Sequence, residues 1–201
     1  SGSWLEHLYI RIFPTFFLLT IAVPFVASCT GSAIGIGAMS GLAAYEERSI
    51  KTIARDTQIA IQLRAALLNK SKKHFMQIGL EVFEGRVLLT GGVESAQIRA
   101  DAVGITWKVA NVKAVLNEMS IGLNSLAITA RDSFITAQLT SKIALDKEIM
   151  AINYSIETVA GTVYLIGIAQ NTVELEKVIA HARTLSYVRK VISHVRIKKI
   201  E

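Results

Sequence analysis

The chain has 201 residues, a formal net charge of +6 and a hydrophobic fraction of 51%. This length suits one ordinary domain or two small ones, and a single cysteine excludes both an internal disulfide and a cysteine-based zinc site. The basic balance favours anionic partners, such as phospholipid headgroups, acidic envelope polymers, nucleic acid or acidic proteins.

The N-terminal segment has the pattern of an export signal. Residues 12–26 are almost continuously apolar, Arg11 precedes them, and small residues lead up to Cys29. This order matches the three regions of a secretory signal, and a cysteine just after the cleavage point resembles a bacterial lipobox. We therefore predict a lipoprotein signal peptide over residues 1–28 and a covalent acyl and diacylglycerol lipid on Cys29. An uncleaved membrane anchor and an ordinary buried thiol are the alternatives.

The segment that follows Cys29 is rich in glycine and other small residues. It includes Gly35, Ile36 and Gly37, but no predicted strand leads into it, so a phosphate-binding loop is a weak interpretation. Its composition is typical of a flexible linker. We predict that residues 29–48 form a lipid-anchored tether.

The rest of the chain is a tandem repeat with an offset of 76 residues. Arg55 and Asp56 recur as Arg131 and Asp132. The same offset relates Gly85, Val87, Leu89 and Gly91 to Gly161, Val163, Leu165 and Gly167. A single register kept over this length indicates two copies of one structural unit. We place the copies at residues 49–122 and 125–201, with a linker near residues 122–124.

Each copy predicts two helices. The first begins near Asp56 or Asp132, since acidic residues suit a first helical turn. Its apolar residues have helical spacing: Ile59, Leu63, Ala66 and Leu67 in the first copy, and Ile135, Leu139 and Ile143 in the second. The second helix covers about residues 95–109 or 171–185.

Each copy also predicts three strands. Alternating residues over 76–82 and 152–157 indicate a first strand, and a tight turn at Gly85 or Gly161 leads into a second strand over 86–90 or 162–166. A third strand covers 114–121 or 191–197. The order is αββαβ. We therefore predict an α/β fold, in which each copy is an α+β two-layer sandwich with its helices on one face of the sheet.

The order, the length, the tandem arrangement and the motif Gly85-x-Val87-x-Leu89-x-Gly91, repeated from Gly161, resemble BON domains. With its lipobox and Gly/Ala-rich stretch, the chain is similar to the dual-BON lipoproteins of the Gram-negative outer membrane (the DolP type) and to soluble periplasmic dual-BON proteins (the OsmY type). The resemblance implies binding of anionic phospholipid and maintenance of the envelope.

No group of residues predicts catalysis or a metal site. The four histidines are His7, His74, His181 and His194, and none of them are spaced as metal ligands usually are. The serines lack a nearby base or a nucleophile elbow. We predict no enzymatic activity, no metal and no cofactor apart from the lipid on Cys29.

One difference between the two copies is informative: in the first helix, Gln58 of the first copy corresponds to Phe134 of the second. We expect Phe134 to be partly exposed near the helix tip, on the side of Gln138, with Arg131 and Lys142 close by. An exposed aromatic side chain beside cations suits insertion at a lipid interface, and in the family the same helix of the second domain contacts phospholipid. The alternative is that Phe134 packs on the other domain or the linker.

The last strand is a second basic feature. Alternation places Lys190, His194, Arg196 and Lys198 on one face. A solvated face is the default interpretation of such charges; the sister domain and an anionic surface are the others. The corresponding strand of the first copy lacks these cations, which favours the second copy as the anion binder.

We therefore expect a non-enzymatic envelope lipoprotein that binds an anionic phospholipid membrane through its second domain and supports outer-membrane integrity. The alternative is a structural or adaptor subunit of an envelope protein complex, such as a secretion-system or secretin-associated assembly. Thr30 after the cysteine favours a periplasm-facing position on the outer membrane over inner-membrane anchoring or a soluble periplasmic protein. Export and the absence of a KH-type GXXG clamp argue against nucleic acid.

Overall fold

The computed structural model describes residues 46–122 and 125–199. The predicted signal peptide, Cys29 and most of the predicted tether lie outside the described residues. Within the described ranges, every helix is too short or too polar to cross a membrane.

The five α-helices of the described residues are α1 Ile50–Lys70, α2 Lys72–Phe75, α3 Ala96–Trp107, α4 Leu126–Leu145 and α5 Thr172–Arg183. The side chain of Ser49 caps α1 and that of Ser125 caps α4, each by accepting a hydrogen bond from the backbone N–H three residues on. The prediction that these helices begin near Asp56 and Asp132 was therefore wrong. The second helix of each repeat lies close to its predicted range, and its N-cap is Ser95 in the first repeat and Asn171 in the second.

The strands are β1 Gly79–Phe83, β2 Arg86–Thr90, β3 Gly92–Val93, β4 Ala114–Asn117, β5 Ser120–Ile121, β6 Tyr154–Val159, β7 Thr162–Ala169 and β8 Lys190–Ile197. β1 and β6 start later than predicted because a turn at residues 76–77, after α2, and a 3₁₀ turn at Ala151–Asn153 occupy the predicted first positions. The predicted third strand of the first repeat is divided into β4 and β5.

Both repeats have the same sheet topology. β1 and β2 form an antiparallel hairpin and β4 pairs with β2 in parallel, while β6, β7 and β8 repeat that arrangement. The short pair β3 and β5 is parallel too. The predicted αββαβ order is confirmed, with the parallel pairing supplied by the helix that crosses between the last two strands.

Asp56 and Asp132 bind the hairpin turns. The Asp56 carboxylate accepts hydrogen bonds from the backbone N–H groups of Glu84 and Gly85 at 2.7 and 2.8 Å. Asp132 does the same for Ala160 and Gly161 at 2.6 and 2.9 Å. The turn residues have positive φ values of 54° and 78° in the first repeat and 48° and 76° in the second, as a two-residue type I′ hairpin loop requires. These acids therefore fix each hairpin to its first helix.

One face of each sheet packs against the helices. In the first repeat the core includes Ile59, Leu63, Leu67, Val87 and Leu89. The corresponding core of the second repeat includes Ile135, Leu139, Ile143, Val163 and Leu165. The apolar helical spacing and the apolar positions of the glycine motif therefore describe the two cores.

The opposite faces of the two sheets pack against each other. This intersheet layer consists of Phe83, Leu88, Tyr164, Ile166 and Ile168, with Leu116, Val159 and Ile192 at its border. The order of layers is α1 and α3, the first sheet, the second sheet, then α4 and α5. All three apolar clusters are built from residues between 59 and 195. The part of the chain from residue 46 onward therefore carries its own cores and is expected to fold by itself.

Candidate functional site

The outer face of α4 exposes an apolar stripe. Leu126 is 89% exposed, Phe134 59% and Leu145 81%. The exposed small residues Ala127, Ala130, Ala137 and Ser141 lie between them on the same side of the helix. We call these seven residues the α4 stripe; it extends over about 28 Å at the usual rise per residue.

The orientation of the α4 stripe follows from the opposite side of the helix. Ile135, Leu139 and Ile143 are buried in the second core. Asp132 lies on that inner side as well, where it holds the hairpin turn. Because the stripe is on the far side, the fold leaves it without a partner among the described residues.

The exposed charges of α4 are both positive. Arg131 and Lys142 flank the stripe, and Asp132, the acid of this helix, is buried. The guanidinium of Arg131 lies 5.3 Å from the ring centroid of Tyr187, which is itself exposed. Lys142 Nζ donates a hydrogen bond to Thr184 Oγ1 at 3.1 Å. The two cations are therefore held beside the stripe by residues at the C-terminal end of α5.

The structure brings three of the four predicted contact residues together at the surface. Phe134, Arg131 and Lys142 are exposed, whereas Gln138 is partly buried. The expectation that Phe134 lies near the helix tip was wrong, because α4 begins at Leu126 and Phe134 is near its middle. Sequence reasoning also missed Leu126 and Leu145, although their spacing from Phe134 is helical.

The basic face of β8 points towards the first repeat. His194 Nε2 is 2.9 Å from Glu118 Oε1, and Lys198 Nζ is 3.0 Å from Glu47 Oε1. Arg196 forms an ion pair with Glu84. The default interpretation of a solvated face was wrong for His194, which is partly buried against Glu118 of the first repeat, whereas Arg196 and Lys198 stay exposed while they pair with Glu84 and Glu47.

Lys190, at the start of β8, is exposed. The other three residues of the predicted basic face form ion pairs. Lys190 has no ion pair with a carboxylate of the described residues. Within the second repeat, Arg131 and Lys142 beside α4 therefore remain available to an external anion, whereas His194, Arg196 and Lys198 at β8 already have carboxylate partners. Among the described residues, no cluster of three acidic, histidine or cysteine side chains could hold a metal ion.

The family model for the BON domain matches residues 55–122 and 131–199. The chain belongs to the BON domain family. The two matches correspond to the two repeats, and they confirm the expected dual-BON arrangement of the DolP type.

Two relatives align with this chain over most of their length. A protein of Anaplasma centrale described as "Uncharacterized protein in gshII 5'region" is 41% identical over 142 residues, which are 67% of this chain and 94% of the relative. The "Outer membrane lipoprotein DolP" of Haemophilus influenzae is 28% identical over 152 residues, 75% of this chain and 79% of the relative. A solved structure, the C-terminal domain of CdsD, described as the structural protein of the Type III secretion system of Chlamydia trachomatis, aligns over 69% of this chain and 96% of its own, with 11% identity and a TM-score of 0.31.

Proposed function

We propose that this dual-BON protein is a non-enzymatic envelope lipoprotein whose second BON domain binds anionic phospholipid through the α4 stripe and supports outer-membrane integrity. One observation carries the proposal: α4 exposes an aromatic and two leucine side chains, and its exposed charges, Arg131 and Lys142, are both positive.

The arrangement suits a helix that lies in the plane of a bilayer surface. Phe134 in the middle of the α4 stripe, with Leu126 and Leu145 at its ends, would enter the boundary between headgroups and acyl chains. Arg131 and Lys142 would remain at headgroup level, where each cation near an anionic surface contributes about 1 kcal/mol. The small residues between the large ones would let the helix backbone approach the surface closely.

The cellular location of the protein is part of the same proposal. One relative bears the name "Outer membrane lipoprotein DolP", and the lipobox pattern supports a lipid on Cys29 and a periplasm-facing position on the outer membrane. The lipid would hold one end of the chain and α4 would supply a second, weaker contact. Two linked contacts give a much higher overall affinity for a membrane than either contact alone.

The proposal is tested by vesicle binding of residues 46–201, which lack Cys29 and the apolar N-terminal segment. We expect this fragment to co-sediment with phosphatidylglycerol vesicles and not with phosphatidylcholine vesicles. Phe134→Ala should weaken binding about tenfold, since it removes about 1.4 kcal/mol of apolar contact. Because Phe134 is exposed, the substitution should leave the free energy of unfolding within about 0.5 kcal/mol of wild type.

Val173→Ala is the matched control. Val173 is 61% exposed, close to the value for Phe134, but it lies on α5 beside Glu148, Glu174 and Lys177 and is not part of the α4 stripe. Its truncation should therefore not change vesicle binding. Equal binding to both lipids, or equal loss in both variants, would contradict the proposal. Stable co-purification of the full chain with an envelope complex that Phe134→Ala leaves intact, without lipid binding, would favour the adaptor alternative.

A further inference from the structure

The outer face of the first repeat also exposes large apolar side chains. Ile61, near the middle of α1, is 65% exposed, and Trp107, at the end of α3, is 54% exposed. Ile50 at the start of α1 and Met76 just after α2 are exposed as well. Tryptophan is the residue type most characteristic of the interface between membrane and water.

The exposed charges around α1 resemble those on α4, while Glu94 before α3 is an exposed acid of the same repeat. The acid of α1, Asp56, is buried, and its carboxylate is bound by the hairpin turn and by Arg48. The exposed charged residues of α1 and α2 are all lysines, and one more lysine follows α3: Lys51, Lys70, Lys72, Lys73 and Lys108. An anionic surface would therefore meet apolar and cationic groups together here.

The repeat relation places Trp107 beside α1. In the second repeat, Lys142 of α4 reaches Thr184 at the end of α5. The residues 76 positions earlier are Ala66 of α1 and Lys108 directly after Trp107. Because α1 contacts α3 as α4 contacts α5, we infer by analogy that Trp107 and Lys108 lie near the C-terminal half of α1.

The two repeats expose aromatic side chains at different positions. Phe134 of α4 corresponds to the polar Gln58 of α1, while Trp107 corresponds to Arg183. The first repeat thus exposes Trp107 at the end of α3, and the second exposes Phe134 on α4 and Tyr187 beside Arg131. Trp107 and Phe134 do not correspond in the repeat, so no packing position shared by the two copies requires them.

The two faces point in opposite directions. The sheets pack back to back through the intersheet layer, and the helices of each repeat lie on the outside. The exposed side of α1 and the α4 stripe are therefore on opposite sides of the molecule. A single flat bilayer could meet one of these faces at a time.

We propose that the first BON domain carries a second contact surface for an anionic bilayer, formed by Trp107, Ile61 and the lysines around α1, and that one molecule thereby bridges two bilayers. The bridging step rests on the α4 contact of the proposed function, whereas the second surface does not. Charge complementarity and the exposed tryptophan select a lipid surface as the occupant.

The second surface has its own optical readout. Residues 46–201 contain a single tryptophan, Trp107, because the other one is Trp4. In a Phe134→Ala/Arg131→Gln background, which disables the α4 contact, we expect the emission of Trp107 to shift to the blue with phosphatidylglycerol vesicles and to stay unchanged with phosphatidylcholine vesicles. An unchanged emission with both vesicles would overturn the second surface, whether or not α4 binds lipid.

Bridging is measured as clustering of phosphatidylglycerol vesicles by dynamic light scattering. The wild-type fragment should cluster them, and clustering should be lost both in Phe134→Ala/Arg131→Gln and in Trp107→Ala/Ile61→Gln, although the second variant should still co-sediment through α4. Clustering that persists in Trp107→Ala/Ile61→Gln would overturn bridging. So would sedimentation velocity showing that the fragment self-associates through this face and clusters vesicles as a dimer of α4 contacts.

Discussion

Arg86 of the first repeat donates a hydrogen bond from Nη1 to the main-chain oxygen of His194 in the second repeat, at 2.7 Å. Its Nη2 donates to the main-chain oxygen of Gly167 at 3.2 Å. Because the same contact region contains the ion pairs of β8 with Glu84 and Glu118, the two BON domains are held together by polar contacts around the apolar intersheet layer. These contacts therefore fix the orientation of the outer face formed by α1 relative to the outer face formed by α4.

Replacing Arg86 tests this connection. Arg86→Met keeps much of the side-chain length but leaves two carbonyl oxygens without their donor, so we expect a loss of about 1–3 kcal/mol in the free energy of unfolding. Arg183→Met, at an exposed position of α5, is the control and should change stability by less than about 0.5 kcal/mol. Urea unfolding gives both values, and equal stability of the two variants would contradict the role assigned to Arg86.

Glu81 makes the stability depend on pH. Burial, together with the nearby carboxylate of Glu157, raises the pKa of Glu81 to about 7, although a hydrogen bond from Ser155 and the charges of Arg48 and Arg64 act in the opposite direction. The folded protein therefore holds this proton more tightly than the unfolded chain. Stability from this group is fully present below about pH 4.5 and decreases as the pH rises to about 7.

The corresponding variant is Glu81→Gln. It should raise the free energy of unfolding above pH 7 by about 1–3 kcal/mol, because it removes a buried carboxylate that faces Glu157, and it should have little effect near pH 4.5. Urea unfolding between pH 4.5 and pH 8 measures the difference. A variant less stable than wild type at pH 8 would show that the Glu81 carboxylate stabilises the fold there, contrary to this expectation.

Asp132 should be important for folding and not for lipid chemistry. Its carboxylate satisfies the backbone N–H groups of Ala160 and Gly161, and hydrogen bonds to a charged group are worth more than neutral ones. Asp132→Ala should therefore cost about 2–4 kcal/mol in thermal or urea unfolding. Asp101→Ala, at a partly exposed acid of α3, should cost far less; a similar cost for both would remove the special role of the turn contact.

The cations of the second repeat should not be equivalent in lipid binding. Arg131 stands beside the α4 stripe, whereas Arg196 is paired with Glu84. Arg131→Gln should weaken binding to phosphatidylglycerol vesicles about fivefold, as expected for the loss of one cation near the surface. Arg196→Gln should leave that affinity unchanged. The reverse order of effects in co-sedimentation would move the lipid contact from α4 to β8.

The fold within each repeat follows closely from the sequence, since the spacing of Ile59, Leu63 and Leu67 and the alternation around Val87 and Leu89 each specify a buried face. Positions such as Gly91 are explained only by the structure: a Cβ there would lie 2.5 Å from the main-chain oxygen of Gln77. The start of the first helices was missed because the acids that suggested an N-terminal turn bind a hairpin that is distant in sequence.

The packing of one repeat on the other could not be inferred from the alternation of apolar residues along the strands. Alternation shows that Leu88 and Ile166 face away from the helices, but it does not distinguish a solvated face from one covered by another sheet. The ion pairs of His194 and Arg196 depend on that packing. Phe134, by contrast, was identified by comparing the two copies, and its exposure needs only the local helix.

The most direct measurement is a fluorescent label on the α4 stripe. Residues 46–201 contain no cysteine, so Ser141→Cys can carry a single polarity-sensitive dye on the stripe and Thr172→Cys the same dye at the start of α5. With phosphatidylglycerol vesicles we expect the emission of the label at position 141 to shift to the blue while that at position 172 stays unchanged. Vesicle binding with no shift at position 141, or with a shift at position 172 alone, would contradict the assignment of α4 as the lipid contact.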